Sequence, residues 1–565
     1  MSKAIKITRN QAIKDLTSPG RPFELSRMEV FGDSCLVFKN APFTLGQLFE
    51  DSRSDAEFYV YEHERYTFEQ IYLLSCKVAQ LLISEYGVIK GDRIAISMRN
   101  YPEWVVAFQA ITSIGAIAVC MNALWQTEEM EYGLSHGGVK VLLADQERID
   151  RVISIYHDLN LKVLAIRPQK SLPRDIPELH KAASIFDASM PCVLHEADDD
   201  ATILYTSGST GHPKGVVSSH RNVINALLSW ELDFAAKQYV IFDGDPPEQE
   251  FVYPPAVLLG IPLFHVAGSH SVLLASYRHQ RRVVAMYKWD VEVGTELIER
   301  ERITSFTAPA AMTGDLVDVA RDSNRDLSSL INVGGGGAPR APEQVSGIAE
   351  TFVNALPGTG WGMTETNAIG TGIAGEDYLE RPSSSGRPSA ILEVAIIDEH
   401  GNHLPKGEKG ELIIRGTSMF REYWDRPDAN AETFIGRWFR TGDVAYLDDE
   451  DFLYIVDRIK DLVIRGGENI GCGEVEAGLL AHDDVIEASV YGVPDKRLGE
   501  EIGATIYGIN PIQEDQLRSF LLGHLAKFKI PKYIHFSSDP LPRVASGKIA
   551  KRVLRDQAYT KLGIA

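Results

Sequence analysis

Short apolar runs with the composition of buried β-strands alternate with helical segments in the first third of the chain. The strand-like runs lie at residues 94–98, 139–144 and 162–166. Residues 67–85 instead carry apolar side chains at the three- and four-residue spacing of an α-helix, and a second helix is predicted around 103–113. Strands that alternate with helices form parallel sheets that the helices cover. The pattern therefore predicts an α/β fold built from helix-covered sheets.

The second half of the chain changes character after a turn-rich break at residues 382–388. Residues 392–397 and 411–415 predict antiparallel strands of a small barrel-like subdomain. Nearer the C-terminus, residues 474–476 with the helix after them and the strand-like run 485–493 fit a compact α+β module. Because 565 residues exceed what one hydrophobic core usually serves, we expect two or more domains.

Composition excludes several classes of protein. The 57 basic and 78 acidic residues give a net charge of −21, which argues against general nucleic-acid binding. The five cysteines are widely spaced and no pair has metal-ligand spacing, so we expect neither a disulfide framework nor a zinc site. Residues 1–15 lack the apolar core of a signal peptide, and polar residues interrupt the longest apolar stretch, 104–121. We therefore expect a cytoplasmic protein without a transmembrane segment.

Residues 205–215, with the sequence YTSGSTGHPKG, form the most informative loop in the chain. Glycines let a backbone approach an anion closely, hydroxyls add hydrogen-bond donors, and the lysine adds a mobile positive charge. The loop therefore predicts a polyphosphate-binding site. It does not have the G-x-x-x-x-G-K-[ST] spacing of a Walker A loop. The alternative is a flexible Ser/Gly linker.

Six further motifs follow this loop in order, and together they resemble the acyl-adenylate-forming superfamily. This superfamily includes acyl-CoA synthetases, adenylation domains of peptide synthetases and firefly-type luciferases, and the resemblance runs from about Phe43 to the C-terminus. The motifs are PLFH at 262–265, the glycine run with Ala-Pro at 334–339, GWGMTE at 360–365, RTGD at 440–443, DRIKD at 457–461 and SGK at 546–548.

The resemblance implies a division of the chain into two moving parts. Residues 1–457 would form a large N-terminal AMP-binding domain, which includes the barrel-like subdomain. Residues 458–461 would be a hinge, and residues 462–565 a small mobile α+β domain.

The resemblance also implies an acid–CoA ligase. Such an enzyme joins a carboxylic acid to the α-phosphate of ATP as an acyl-AMP, and then transfers the acyl group to coenzyme A. The loop residues that would hold the β- and γ-phosphates are Thr206, Ser207, Gly208, Ser209, Thr210, Gly211 and Lys214. Further nucleotide contacts are implied for Gly336, Gly337, Ala338, Pro339, Gly360, Trp361, Gly362, Met363, Thr364 and Ile455. A dinucleotide-binding G-x-G-x-x-G is the alternative for the first of these glycines, but Pro339 and Arg340 occupy the wrong positions for it.

Five residues would do the chemistry of the first step: Lys548, Glu365, Thr206, Lys214 and His265. Glu365 would bind Mg²⁺ with help from Thr206, because this ion prefers oxygen ligands and phosphates. Lys548 would offset the negative charge of the attacking carboxylate and the α-phosphate. His265 would line the acyl pocket, with a packed core histidine as the alternative.

Two further positions would hold the ribose of ATP. Asp443 would accept hydrogen bonds from both hydroxyls, since an ionised carboxylate is acceptor-only. Arg458 would reach the same ribose or the α-phosphate.

The second step would use the hinge and the segment after it. Lys460 would lie in the hinge, and Gly466, Gly467 and Glu468 would approach the site so that the thin pantetheine arm of CoA can pass. The sequence then departs from the family pattern at residues 471–473, Gly-Cys-Gly, where bulkier residues or proline are common. This departure leaves the shape of the CoA channel open, and we expect Cys472 to be a packed thiol.

Several functions share these motifs. The first is an acid–CoA ligase for a medium- or long-chain fatty acid or another bulky apolar acid. A ligase that loads a carrier protein is the second, although no insertion near the hinge and no carrier domain are visible. A luciferase-type oxygenase and a catalytically silent nucleotide-binding regulator complete the alternatives, and the regulator would be expected to lack Lys548, Glu365 or Asp443. Whether the chain forms a homodimer is left open.

Overall fold

The computed structural model describes residues 7–206, 213–247, 252–337, 340, 342–459, 461–465, 468–544 and 548–564. Helix α1 (Arg9–Leu16) and the hairpin of β1 (Leu25–Val30) and β2 (Asp33–Phe38) lead into two large sheets. Helix α1 packs on a later helix, α8 (His220–Ile241).

The first large sheet contains the strand-like runs that open the sequence pattern. Its strands are β5 (Arg93–Ser97), β6 (Ile117–Cys120), β7 (Val139–Asp145), β8 (Lys162–Ile166), β9 (Asp200–Thr206), β10 (Lys214–Ser219) and β20 (Glu422–Tyr423). They lie in the order β20-β10-β9-β6-β5-β7-β8. The pairs from β9 to β8 are parallel, whereas β10 is antiparallel to both β9 and β20. The phosphate-loop segment is thus the connection of the β9–β10 hairpin.

The second large sheet has a parallel centre with antiparallel edges. Its strands are β3 (Glu57–Tyr61), β4 (Glu64–Thr67), β11 (Ala256–Leu259), β12 (Arg282–Ala285), β13 (Ser305–Ala308), β14 (Asn332–Gly336), β15 (Leu356–Trp361), β16 (Thr371–Ala374) and β17 (Arg387–Pro388). Their order is β17-β16-β15-β14-β13-β11-β12-β3-β4. Because β14 and β15 run parallel, both of their glycine-rich carboxyl ends lie at the same edge.

Helices cover both sheets and share one core with them. Helix α4 (Pro102–Ser113) is buried along its whole length, and the side chains at its centre belong to the same apolar cluster as strands of both sheets. Helix α3 (Phe68–Ser84) begins at a capping box in which Thr67 and Gln70 satisfy each other's backbone N–H groups. The many apolar residues in these segments predict both helices, because a helix that is buried on several faces carries apolar side chains all round.

Two smaller sheets follow, both in the second half of the chain. One is antiparallel, in the order β18-β19-β22-β21 with β23 beside β22; its strands are β18 (Leu392–Ile397), β19 (Gly410–Gly416), β21 (Phe434–Ile435), β22 (Trp438–Leu447) and β23 (Leu453–Arg458). The other has the order β25-β24-β27-β26 with β28 beside β27; its strands are β24 (Val463–Arg465), β25 (Glu468–Ile470), β26 (Val485–Asp495), β27 (Gly499–Gly508) and β28 (Tyr533–Ser537).

The remaining α-helices have between 4 and 13 residues each. They are α2 (Leu45–Asp51), α5 (Thr127–His136), α6 (Gln146–Val152), α7 (Leu179–Ala183), α9 (Ala275–Arg278), α10 (Val291–Glu301), α11 (Ala310–Asp322), α12 (Pro342–Thr351), α13 (Glu376–Glu380), α14 (Pro427–Thr433), α15 (Cys472–Leu480), α16 (Glu514–Leu521) and α17 (Lys551–Leu562). A π-helix spans Ala267–Leu274, and 3₁₀ turns lie at Thr364–Thr366 and Lys527–Lys529. No helix in the described ranges is long and apolar enough to cross a membrane.

The predicted α/β class is confirmed, with a large N-terminal part, an antiparallel subdomain and a small C-terminal α+β part. The run Tyr454-Ile455-Val456 predicts a strand that ends at Val456, followed by a solvated turn or a hinge at 457–461, and the structure differs at this boundary. Strand β23 continues to Arg458, because Asp457 and Arg458 pair with Val444 and Asp443 of β22. The first residues of the charged motif therefore lie in a sheet and not in a solvated turn. The proposed domain boundaries themselves stay a prediction.

Candidate active site

Two glycine-rich strand ends form one wall of the site. Gly336 of β14 and Gly360 of β15 are direct register partners. A Cβ atom at Gly360 would lie 2.6 Å from the carbonyl oxygen of Thr371, so a larger residue does not fit there. Gly337, just beyond β14, has φ +77°, which favours glycine. The wall is therefore bare backbone at the carboxyl ends of parallel strands, where open α/β sheets bind ligands.

Asp443 lies beside this wall because strand β22 is irregular there. Gly442 has φ +71°, and the pairing of β22 with both neighbours shifts register around Asp443. The backbone N–H of Asp443 donates to Thr441 Oγ1 at 3.0 Å. The carboxylate is 2% exposed. This local distortion directs a charged group into the interior.

Two side chains hold the Asp443 carboxylate. The indole Nε1 of Trp361 donates to Oδ2 at 2.8 Å, and the Nε of Arg458 lies 2.5 Å from Oδ1. Burial raises the pKa of Asp443, while Arg458 and the Trp361 hydrogen bond oppose that rise. The result is an oriented hydrogen-bond acceptor next to the glycine wall.

Glu365, Tyr423 and Lys214 form a second cluster. The Tyr423 hydroxyl donates to Oε1 of Glu365 at 2.8 Å, and the Lys214 Nζ lies 4.6 Å from the centre of the Tyr423 ring. Lys214 and Thr206 are register partners at the mouth of the β9–β10 hairpin. The cluster therefore brings a carboxylate, an ammonium and a hydroxyl to the base of the phosphate-loop segment.

The donor set of this cluster fits Mg²⁺ bound together with phosphates. Glu365 is 5% exposed, and burial raises the pKa of its carboxyl group against the opposing effects of Tyr423 and of the charges on Arg458 and Lys214. A bound cation would offset the free-energy cost of burying the ionised Glu365 carboxylate. Within the described residues no three His, Cys, Asp or Glu side chains form a metal cluster. Mg²⁺ commonly uses one or two carboxylates and takes its other ligands from water and substrate phosphates.

His265 lies at the start of the π-helix with its ring 4.6 Å from the ring of Phe264. Its Nε2 atom is buried and has no hydrogen-bond partner among the described residues. Burial, and to a smaller extent Lys548, lowers the pKa of His265 to about 4. The imidazole is therefore neutral near pH 7, which suits a hydrogen-bonding contact more than proton transfer. Buried histidines away from the site, such as His220 and His270, also have an Nε2 without a partner in the described part of the chain, so the position of His265 near Lys548 is what supports a substrate contact.

Lys548 reaches this region from the C-terminal part of the chain. Its Cε lies 3.9 Å from where a Cβ of Gly337 would be. Its surroundings lower its pKa, first through loss of hydration and then through the charge of Arg458, while Asp443 opposes the shift. Lys548 therefore lies beside the glycine wall and close enough to Asp443 and Arg458 to feel their charges.

Family models match most of the chain. The model of the AMP-binding enzyme matches residues 49–424, and that of the AMP-binding enzyme C-terminal domain matches residues 474–548. The chain belongs to the AMP-binding enzyme family. The predicted membership is confirmed.

Characterised members of this AMP-binding family share much of the sequence and the fold. The long-chain fatty-acid–CoA ligase of Mycobacterium tuberculosis is 32% identical over 87% of this chain and 93% of its own length. The 4-coumarate–CoA ligase 2 of Nicotiana tabacum is 31% identical over 87% and 89%. The structure of the o-succinylbenzoate–CoA synthetase of Bacillus subtilis with its acyl-adenylate intermediate superposes with a TM-score of 0.77, at 28% identity, over 90% of this chain and 98% of that one.

The structure brings most of the described site residues of this AMP-binding enzyme together. Met363 packs in the apolar cluster that also takes Trp361, and Thr364 opens the 3₁₀ turn that carries Glu365. Gly362 sits where a Cβ would be 2.3 Å from the Ala368 carbonyl oxygen. Ile455 is half-buried on β23, in a cluster that Trp361 also contacts. The sequence predictions for these residues as ATP ligands stay predictions.

Other predicted residues are elsewhere or not described. Glu468 is exposed on strand β25 of the C-terminal sheet, which suits a role only after a rearrangement. Ten predicted residues lie outside the described part of the chain: Ser207, Gly208, Ser209, Thr210, Gly211, Ala338, Pro339, Lys460, Gly466 and Gly467.

Sequence reasoning missed Tyr423. This residue stands 58 positions from Glu365 and outside the motifs used above. The available signal was weak: an aromatic pair, Tyr423-Trp424, in an otherwise polar segment. Only the folded arrangement shows that its hydroxyl and ring contact two predicted site residues.

Proposed function

We propose that the acid activated by this AMP-forming acid–CoA ligase is a bulky, largely apolar carboxylic acid, such as a medium- or long-chain fatty acid or an aromatic acid. The predicted enzyme class is confirmed, as are ATP, Mg²⁺ and CoA as its cofactor and cosubstrates. The relatives named above act on a long-chain fatty acid, on coumarate and on o-succinylbenzoate, and each of these acids has an extended apolar part.

One observation supports this substrate class most directly. The buried ring of His265, whose Nε2 has no partner among the described residues, packs against the ring of Phe264, and Lys548 is the nearby charge. Phe264 is buried beside it, and Trp361, which bonds Asp443, packs with Met363 and Ile369 in an apolar cluster. A carboxylate could approach the polar end at His265 and Lys548, while its apolar body would replace water against these side chains.

For the first step we assign each charged group one task. Asp443 accepts hydrogen bonds from the ribose, and Arg458 holds Asp443 and faces the nucleotide. Lys214 and the hairpin loop hold the β- and γ-phosphates, which leave as pyrophosphate. Lys548 offsets charge as the acid's carboxylate oxygen attacks the α-phosphorus. Glu365 and Thr206 would hold Mg²⁺, which when bound reduces the repulsion between the two anions.

For the second step we propose that the C-terminal part rotates about residues 458–461. Lys548 then leaves the site, and residues 466–468 form the CoA channel. The CoA thiol attacks the acyl carbonyl, and AMP departs. Glu468 is exposed in the present arrangement, so the task proposed for it belongs to the rotated arrangement.

A ligase that loads a carrier protein is the second candidate. Release of pyrophosphate tests the first half-reaction for any acid, and thioester formation with free CoA distinguishes the two candidates. We expect pyrophosphate release with apolar acids in a panel of straight-chain, aromatic and short polar acids, and acyl-CoA only when CoA is added. Rapid pyrophosphate release without any thioester on CoA would favour the carrier-loading alternative. Preference for short polar acids would contradict the proposed substrate class. The cytoplasmic location stays a prediction from the sequence, and the question of a homodimer stays open.

A further inference from the structure

The segment 420–424 joins the two halves of the phosphate end of the site. At one end, the backbone N–H of Phe420 donates to the carbonyl oxygen of Glu365 at 2.8 Å. At the other end, the N–H of Trp424 donates to the carbonyl oxygen of Gly215, also at 2.8 Å. Between them, β20 pairs with β10, the strand that begins at Lys214. The backbone of this segment therefore bridges the Glu365 turn and the hairpin that carries Lys214.

The side chain of Tyr423 makes the same connection. It is 5% exposed, its hydroxyl donates to Glu365 Oε1, and its ring faces the Lys214 ammonium. Its backbone is fixed on both sides by Asn430, whose Oδ1 accepts from Tyr423 N at 2.7 Å and whose Nδ2 donates to Tyr423 O at 3.0 Å. The Phe420 ring packs 4.9 Å away. A ring held in this way has little freedom to leave either partner.

We propose that Tyr423 is a positioning residue that aligns Glu365 and Lys214 for the metal-bound polyphosphate. The Tyr423 hydroxyl bonds Oε1 of Glu365, so the other carboxylate oxygen, Oε2, is the one presented to a cation. A hydrogen bond to a charged acceptor is stronger than one between neutral groups and fixes the carboxylate plane. The ring attracts the ammonium through its negative face, which limits the positions that the flexible lysine samples.

This inference rests on the proposed roles of Glu365 and Lys214, and two substitutions separate the two contacts of Tyr423. Tyr423→Phe removes the hydroxyl and keeps the ring over Lys214. Tyr423→Leu removes both contacts. Tyr491→Phe is a matched control, because Tyr491 is 2% exposed and its hydroxyl bonds Thr505 at 2.7 Å in the C-terminal sheet, away from the site.

The measurement is equilibrium binding by the full-length enzyme without acid, so that no turnover occurs. Mn²⁺ replaces Mg²⁺ and is followed by electron paramagnetic resonance at saturating ATP. Calorimetry gives the affinities for ATP in EDTA and for AMP. For Tyr423→Phe we expect Mn²⁺ affinity to fall about tenfold, with metal-free ATP binding unchanged. For Tyr423→Leu we expect both the Mn²⁺ affinity and the metal-free ATP affinity to fall. AMP lacks the β- and γ-phosphates, so its affinity should not change in any variant.

Each other outcome contradicts one specific statement. If Glu365→Gln binds Mn²⁺ as tightly as the unmodified enzyme, the proposed metal site itself is wrong. If Glu365→Gln loses affinity but Tyr423→Phe does not, the metal site holds and the positioning role of Tyr423 is wrong. Equal losses of AMP and Mn²⁺ affinity, or the same loss in Tyr491→Phe, would show a general structural effect and would also overturn the positioning role.

Discussion

The carboxylate of Asp457, on the last strand of the antiparallel subdomain, accepts a hydrogen bond at 3.2 Å from the backbone N–H of Gly473 in the first turn of helix α15. Helix α15 has no side-chain cap of its own, since its N-cap is Gly471. A Cβ at Gly471 would lie 3.0 Å from the carbonyl oxygen of Val456. The unusual glycines therefore let the helix approach the neighbouring strand closely. An acidic group at a helix N-terminus is stabilising.

This contact predicts that Asp457 favours the arrangement in which Lys548 is in the site. Asp457→Ala should remove about 1 kcal/mol of helix capping, which corresponds to about a fivefold change in population. Adenylation should slow by about that factor, whereas acyl-CoA formation from supplied acyl-AMP should be unchanged or faster. Asp449→Ala is the matched control, because Asp449 is exposed in the turn after β22 and its backbone oxygen, not its side chain, accepts from Lys406 Nζ at 3.1 Å. A parallel loss of both rates in Asp457→Ala would contradict the prediction.

Asp443 provides a test of ribose recognition. Asp443→Ala should raise the KM for ATP, because losing a charged acceptor costs about 1.5–3 kcal/mol, or roughly 10- to 150-fold. The variant should also lose discrimination between ATP and 2′-deoxy-ATP, which steady-state pyrophosphate release measures. Circular dichroism checks that the fold remains. A variant that still prefers ATP over the deoxy nucleotide by the original factor would show that Asp443 does not bind the ribose.

Lys548 should act in only one half-reaction. Lys548→Ala should slow adenylation by about 3–4 kcal/mol in the activation free energy if it resembles the loss of an oxyanion-stabilising donor. Acyl-CoA formation from supplied acyl-AMP should survive. Lys561→Ala is the control for loss of a positive charge, because Lys561 is exposed near the end of helix α17 in the same C-terminal part of the chain. If Lys548→Ala loses both rates equally, a single static site is at work.

The CoA channel is tested by Gly467→Leu. A side chain at this position should obstruct the pantetheine arm and leave the ATP site intact. Acyl-AMP should then form in a stoichiometric burst, and its conversion to thioester should be slow. Rapid-quench analysis of both species provides the measurement. Equal loss of the two steps would point to a folding defect or to another path for CoA.

Two fully buried histidines predict a loss of stability at acid pH. Burial lowers the pKa of His220 to about 3 and that of His270 to about 4. Histidines of the unfolded chain take up protons below about pH 6.5, whereas in the folded protein His270 does so only near pH 4 and His220 only near pH 3. The free energy of unfolding should therefore fall as the pH drops from about 6.5 to 4. Each histidine contributes up to about 1.4 kcal/mol per pH unit.

Urea unfolding of the full chain at several pH values measures this slope. His270→Asn should reduce the slope by about one proton's contribution between pH 6 and 4.5. His400→Asn serves as the control for replacing a histidine by asparagine, because the His400 side chain is 75% exposed. A slope that does not change in His270→Asn would show that His270 is protonated in the folded protein.

The local sequence pattern was sufficient to predict strands and helices that are buried in the core. The run at 162–166 coincides with strand β8, and the predicted helix at 103–113 lies within α4. Buried strands and helices can be predicted in this way because their apolar residues form a recognisable local pattern. It was insufficient at Asp457 and Arg458, which are charged and yet extend strand β23. Cross-strand pairing with Val444 and Asp443 outweighs their low β-propensity.

The sequence by itself determined the enzyme family and the residue types of its chemistry, since phosphate-binding glycines, a lysine and carboxylates at fixed spacing are local features. Only the tertiary structure decided which other side chains orient these site residues. Trp361 bonds Asp443 across 82 positions, and Tyr423 bonds Glu365 across 58. Such pairs leave no periodic signal along the chain. They arise because sheet register and helix packing bring distant strand ends together, and that geometry depends on the whole core.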